Sequence, residues 1–115
     1  MSRLTTHILD TAHGRPAAGV AVRLYRLSAE RSLLASTTSN DDGRTDAPLL
    51  EGGEFEAGGY ELEFDIGPYF AAQGVALDTP PFLDTVVIRC SLQAGEHYHV
   101  PLLASPWSYS TYRGS

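Results

Sequence analysis

His97-Tyr98-His99-Val100-Pro101-Leu102-Leu103 alternates with a period of two. Successive side chains of an extended strand point to opposite faces, so Tyr98, Val100 and Leu102 share one face. His97, His99, Pro101 and Leu103 share the other. The first set suits a core. The second is not the charged surface of a half-exposed strand, because it sets two imidazoles among proline and leucine. Such a face suggests a protein interface or a ligand groove. The stretch Leu4 to Asp10 repeats the arrangement, with Leu4, Thr6 and Ile8 on one face and Thr5, His7 and Leu9 on the other.

Working outward, the same short extended segments recur between turn signals. Val20 to Leu27 places Val20, Val22, Leu24 and Arg26 on one face, and Gly59 to Ile66 places Tyr60, Leu62, Phe64 and Ile66 on one face. Leu33 to Ser39 is a weaker strand, and Asp84 to Cys90, Glu96 to Leu103 and Trp107 to Tyr112 complete the series. His13-Gly14-Arg15-Pro16, Asn40-Asp41-Asp42-Gly43 and Pro80-Pro81 interrupt them, since Gly and Pro leave regular pairing and Asn and Asp tolerate positive φ. Pro68 to Gly74 reads as one or two helical turns, with Pro68 at the first helical position and Gly74 at the stop. About eight short strands and one short helix predict an all-β sandwich, residues 1–115 forming one domain.

A chain of 115 residues buries roughly two-thirds of its unfolded surface, enough for one core without covalent staples. Its one cysteine, Cys90, excludes an internal disulfide and, within Val86-Val87-Ile88-Arg89-Cys90, reads as a small core residue. The 14 acidic residues outweigh 8 basic ones, all arginines, which argues against a nucleic-acid surface. No stretch approaches the ~20 apolar residues of a membrane span. Met1-Ser2-Arg3 leads directly into a strand, leaving no room for a signal peptide, so the expected compartment is the cytoplasm.

Imidazole titrates near neutral pH and can take a proton from water, so His7 and His99 are candidate bases. Arg44, just after the Asn40–Gly43 turn, is a permanent cation able to hold a carbonyl or developing oxyanion. An exposed turn arginine and satisfied strand histidines are the plain readings of the same residues. His97 and His99 on one face, with His7 or His13 as a third donor, would also suit zinc, although no Cys or acidic partner is fixed by the spacing.

Taken together, Leu4-Thr5-Thr6-His7-Ile8-Leu9-Asp10, Asp42-Gly43-Arg44, His97 to Leu103, Ser105 to Thr111 and the closing Tyr112-Arg113-Gly114-Ser115 resemble the transthyretin-related 5-hydroxyisourate hydrolases over essentially the whole chain. The resemblance implies a transthyretin-like sandwich of two four-stranded sheets, assembled as a homotetramer, a dimer of dimers, with active sites at the mouths of a central channel. It implies His7, Arg44 and His99 as catalytic residues, Tyr112, Arg113, Gly114 and Ser115 as the substrate-binding tail, and no metal or other cofactor. His97 falls outside that catalytic set. The expected reaction is opening of the cyclic amide of 5-hydroxyisourate by activated water. Arg113 is expected to fix the tail by an ion pair, and Tyr112 to close a channel that stays open in a hormone carrier. The rival reading is a transthyretin-like carrier of small aromatic or iodinated ligands without catalysis.

Overall fold

A computed structural model describes residues 2–114. Its strands are β1 (Arg3–Asp10), β2 (Arg15–Pro16), β3 (Ala21–Leu27), β4 (Arg31–Thr38), β5 (Leu50–Glu51), β6 (Gly58–Asp65), β7 (Thr85–Leu92), β8 (His97–Ala104) and β9 (Tyr109–Thr111), with one α-helix, α1 (Ile66–Ala72). One sheet runs β2-β1-β8-β9 with β5 also paired to β1, and the other runs β4-β3-β6-β7. The expected sandwich is present, with the two-residue β5 added to one of its sheets.

The parity expected from the sequence is the parity observed. Leu4, Thr6 and Ile8 of β1 and Tyr98, Val100 and Leu102 of β8 are buried, facing a second layer that includes Val22, Leu24, Tyr60, Leu62, Phe64 and Val86. Each large apolar side chain buried there contributes roughly 1.5–3 kcal/mol, which is why the alternation determines the strand faces. Cys90 lies on the core-facing side of β7, half-buried against this cluster, and burial pushes its thiol pKa up. It is therefore a protonated packing residue.

Two boundaries differ from expectation. The helix begins at Ile66, two residues before Pro68, because the Gly67 amide is satisfied by the Asp84 carbonyl at 2.9 Å. Proline fits the third helical position as well as the first, since none of the first amides has an intrahelical acceptor. The stop is as expected: Gly74 has φ +82° and donates to Ala71 O, while Val75 donates to Phe70 O. The last strand starts at Tyr109 rather than Trp107, because Ser105 Oγ accepts from the amides of Trp107 at 3.2 Å and Ser108 at 3.0 Å and holds both in a turn.

The helix is locked to β1 through Asp10, whose side chain is fully buried. Its carboxylate accepts from the His13 amide at 2.9 Å, His13 Nδ1 at 2.7 Å and Tyr69 Oη at 2.7 Å. Burial raises the carboxyl pKa, but the bonds from Tyr69 and then His13 outweigh it, and the net shift is downward. Burial and the Asp10 charge push the Tyr69 phenol up to about 12. A depressed carboxyl contributes stability above its unfolded pKa and loses it as pH falls through the folded value. Asp10→Asn is therefore expected to lower the urea midpoint clearly at pH 7, and by progressively less as the pH falls below the ordinary carboxyl value of about 3.9.

The two outer faces differ in chemistry. On the β4-β3-β6-β7 sheet the charges are paired: Arg23 holds Glu63 and Asp65, Arg31 holds Glu61 and Glu63, and Arg89 holds Glu61. That face is a satisfied surface. The outer face of the other sheet carries Thr5, His7, Leu9, His99 and Leu103, all half-buried, with Pro101 buried.

Candidate active site

The site forms where the two ends of the chain meet. β1 and β8 pair in parallel, with Thr5 beside His99 and His7 beside Pro101. Residues side by side in a register share a face, so His7 and His99 project from the same side of adjacent strands. Nothing local in either segment dictates this; the pairing joins residues 94 positions apart.

Arg44 is brought to the same face by its turn. Asn40 Oδ1 accepts from the amides of Asp42 at 2.9 Å and Arg44 at 3.2 Å, and the Gly43 amide donates to Asn40 O at 2.9 Å. Gly43 has φ +76°, and its carbonyl accepts from the Ile8 amide at 2.7 Å. The turn is thus stitched to β1, and the next residue, Arg44, bridges to His7 in an antiparallel pair. His7, Arg44 and His99 are thus brought to neighbouring positions on this face.

The His99 imidazole is held by Thr5, whose Oγ1 lies 2.9 Å from Nδ1. Its pKa is lowered below the ordinary imidazole value, first by burial, then by the nearby Arg44 and His7 charges. A lowered value keeps the ring neutral and its lone pair available at pH 7. His97, on the same face by parity, is exposed at the start of β8 beside Arg3. Two hollows flank Thr5. One of about 290 Å³ is lined by Arg3, Thr5, His97, Tyr98 and His99, and one of about 240 Å³ includes Arg3, Thr5, Arg44 and Asp46.

The tail completes the arrangement. β9 pairs with β8 from Ala104↔Tyr109 to Leu102↔Thr111, and the same register reappears at His99↔Gly114. The Gly114 amide donates to His99 O at 2.6 Å. Carried through, this register sets Tyr112 opposite Pro101, on the outer face with His99, where it is 61% exposed. Arg113 falls on the inner side. Its guanidinium stacks over Tyr98, 4.3 Å from the ring centroid, and bonds Glu96 at 3.3 Å and His97 O at 3.4 Å. Ser115, the last of the expected tail residues, lies outside the described residues.

Thr5 and Arg3, which the sequence did not single out, line both hollows. Strand parity puts both on the His7 face, but only the β1–β8 register shows that Thr5 touches His99. The donors of the zinc reading separate: His13 Nδ1 is bonded to Asp10 and His99 Nδ1 to Thr5. Among the described residues no three His, Cys, Asp or Glu side chains are grouped to hold a metal.

Residues 4–114 match the model of the HIUase/Transthyretin family, a span that takes in β1, the Arg44 turn and the tail to Gly114. The chain belongs to that family. Within the HIUase/Transthyretin family it is 54% identical over 117 residues to the 5-hydroxyisourate hydrolase of Pseudomonas aeruginosa, with 100% of this chain and 93% of that one covered. Among solved structures, 5-hydroxyisourate hydrolase of Klebsiella pneumoniae superposes with a TM-score of 0.83 at 36% identity, over 100% of both chains. Sea bream transthyretin in complex with thyroxine gives 0.87 at 29% identity, covering 97% of this chain and 94% of that one. (S)-Allantoin synthase gives 0.94 at 48% identity over 99% of this chain, which spans only 44% of that longer chain.

Proposed function

We propose that this protein hydrolyses 5-hydroxyisourate to 2-oxo-4-hydroxy-4-carboxy-5-ureidoimidazoline. The observation that carries the reading is the convergence of His7, Arg44 and His99 on one half-buried face. The relatives support it: identity is 54% to a 5-hydroxyisourate hydrolase and 29% to a transthyretin. A carrier has no use for a neutral imidazole set beside a guanidinium.

In the proposed reaction water attacks the carbonyl carbon of the six-membered ring's cyclic amide. One of the two imidazoles, neutral at pH 7, accepts the water's proton as the C–O bond forms, and the other orients the water or polarises the carbonyl. Arg44 offsets the negative charge that develops on the carbonyl oxygen. Collapse of the tetrahedral intermediate breaks the C–N bond. The proton passes to the departing nitrogen, and the carbonyl carbon leaves as a carboxylate. These side chains supply the proton transfer and charge stabilisation themselves, so the proposed reaction uses no cofactor, and turnover that survives a chelator supports this.

The backbone of Arg113 and Gly114, together with Ser115, binds the polar edge of the ring, while the Arg113 side chain anchors the tail. Tyr112 closes the channel. The working form is a cytoplasmic homotetramer, a dimer of dimers. In that assembly Leu9 and Leu103 are covered by a neighbouring subunit, which also completes the pocket. Each of the two hollows flanking Thr5 is smaller than the roughly 300–1,000 Å³ of a complete ligand site.

The test is direct. 5-Hydroxyisourate generated in situ by urate oxidase is followed by its ultraviolet absorbance with and without the protein. Accelerated decay supports the hydrolase; saturable thyroxine binding without turnover supports the carrier. Gly114→Ala probes the tail. A Cβ there would lie 3.0 Å from His99 Cδ2 and 3.1 Å from its carbonyl oxygen. Displacing a catalytic ring by a fraction of an ångström is expected to lower kcat by about ten- to a hundredfold. The melting temperature should stay near wild type, because the tail lies outside the core.

A further inference from the structure

His99 has two ring nitrogens, and the fold gives one of them a partner. Nδ1 lies 2.9 Å from Thr5 Oγ1, on the neighbouring strand of the parallel β1–β8 pair. Both residues are half-buried, and Thr5 lines both hollows of the site. A neutral imidazole carries its proton on one nitrogen only, and the bond made by one nitrogen sets the state of the other. We infer that Thr5 is a positioning residue for the hydrolysis: its hydroxyl oxygen accepts the Nδ1 proton of His99, leaving Nε2 bare and aimed at the attacking water. The inference rests on the proposed hydrolase reading and deepens it, since it assigns the general base to His99 Nε2 and the orienting role to His7.

The surroundings favour the neutral ring that this assignment requires. Arg44, from the turn packed on β1, and His7, on β1, both face His99 and oppose its protonation, as burial also does. Arg3 on β1 and His97 on β8 line the same hollow, and Asp46 lies in the adjoining one beside Arg44. Burial and the permanent Arg44 cation beside it hold the ring neutral.

Thr5→Val keeps the branched shape but removes the acceptor. It is expected to lower kcat by about tenfold or more, the effect of one lost orienting bond, while KM stays within about twofold. Loss of the acceptor weakens the imidazolium more than the neutral ring, so the acidic limb of kcat should move to lower pH. Mere loosening of the site would let water in and move it up. Thr5→Ser should restore kcat and the limb to near wild type. Nitrogen-15 spectra of histidine-labelled wild-type protein should show a protonated Nδ1 and a bare Nε2 at His99, a readout independent of turnover and of whether Thr5→Val folds. Wild-type kcat and an unmoved limb in Thr5→Val, an upward shift of the limb, or a proton on Nε2 in the spectra would each overturn the inference. If wild-type protein fails to accelerate decay of the substrate, the hydrolase reading itself falls, whatever the spectra show.

Discussion

Replacing His99 by Asn is expected to lower kcat for 5-hydroxyisourate by about 10²–10⁴, the usual contribution of a positioned base. Asn keeps polarity and approximate size, so β8 and its pairing with β1 should be undisturbed and the melting temperature little changed. His7→Asn should cost less, because that imidazole only orients the water. The wild-type rate should fall as pH drops through the His99 pKa. Burial and the Arg44 and His7 charges have pushed that value down, so the inflection should lie below the ordinary imidazole value of about 6.5. The profile should flatten in His99→Asn. Stopped-flow decay of enzymatically generated substrate from pH 5 to 8 measures both effects, and a His99→Asn enzyme with wild-type kcat would remove the residue from its role.

Gly43→Ala is expected to damage fold and site together. Gly43 sits at φ +76°, in the left-handed region, and an alanine Cβ there would run into the Ile8 carbonyl, with Ala17 N and Pro16 Cβ each at 3.2 Å. The backbone conformation alone costs about 1–3 kcal/mol, roughly 5–15 °C in melting temperature for a chain of this size. The contact with Ile8 must be relieved by moving the turn off β1. That breaks the bond from the Ile8 amide to Gly43 O and carries Arg44 away from His7. Asp42→Ala, one residue earlier and exposed, should leave both properties near wild type. Calorimetry and kcat measured on the same preparations separate the outcomes: lost activity with an unchanged melting temperature would mean that the turn is not anchored as described.

Much of this architecture was legible because strand parity is local. The buried faces of β1, β3, β6 and β8 follow from the alternation of Leu4/Thr6/Ile8, Val22/Leu24, Tyr60/Leu62/Phe64 and Tyr98/Val100/Leu102, where a slip of one residue would turn each apolar set to water. Gly74 ended the helix where its free φ suggested. The Pro68 start was misplaced because the helix is opened by an amide bonded to Asp84, far along the chain. Trp107 was read as strand because the serine hydroxyl that holds it in a turn leaves no trace in periodicity.

The candidate site was legible in its residue types and in the family likeness, but not in its geometry. His97 and His99 are indistinguishable by parity, and they separate only because β8 offers its third residue, not its first, to Thr5 across the sheet and to Gly114 of the tail. Taken alone, the order of residues determined which side chains are apolar and on which face of each strand they lie, since that depends on neighbours one or two positions away. Only the folded chain decided which polar groups meet. A parallel pairing of the first and eighth strands, a glycine turn pressed on Ile8 and a tail in register with β8 are long-range contacts, chosen by the packing of the whole core.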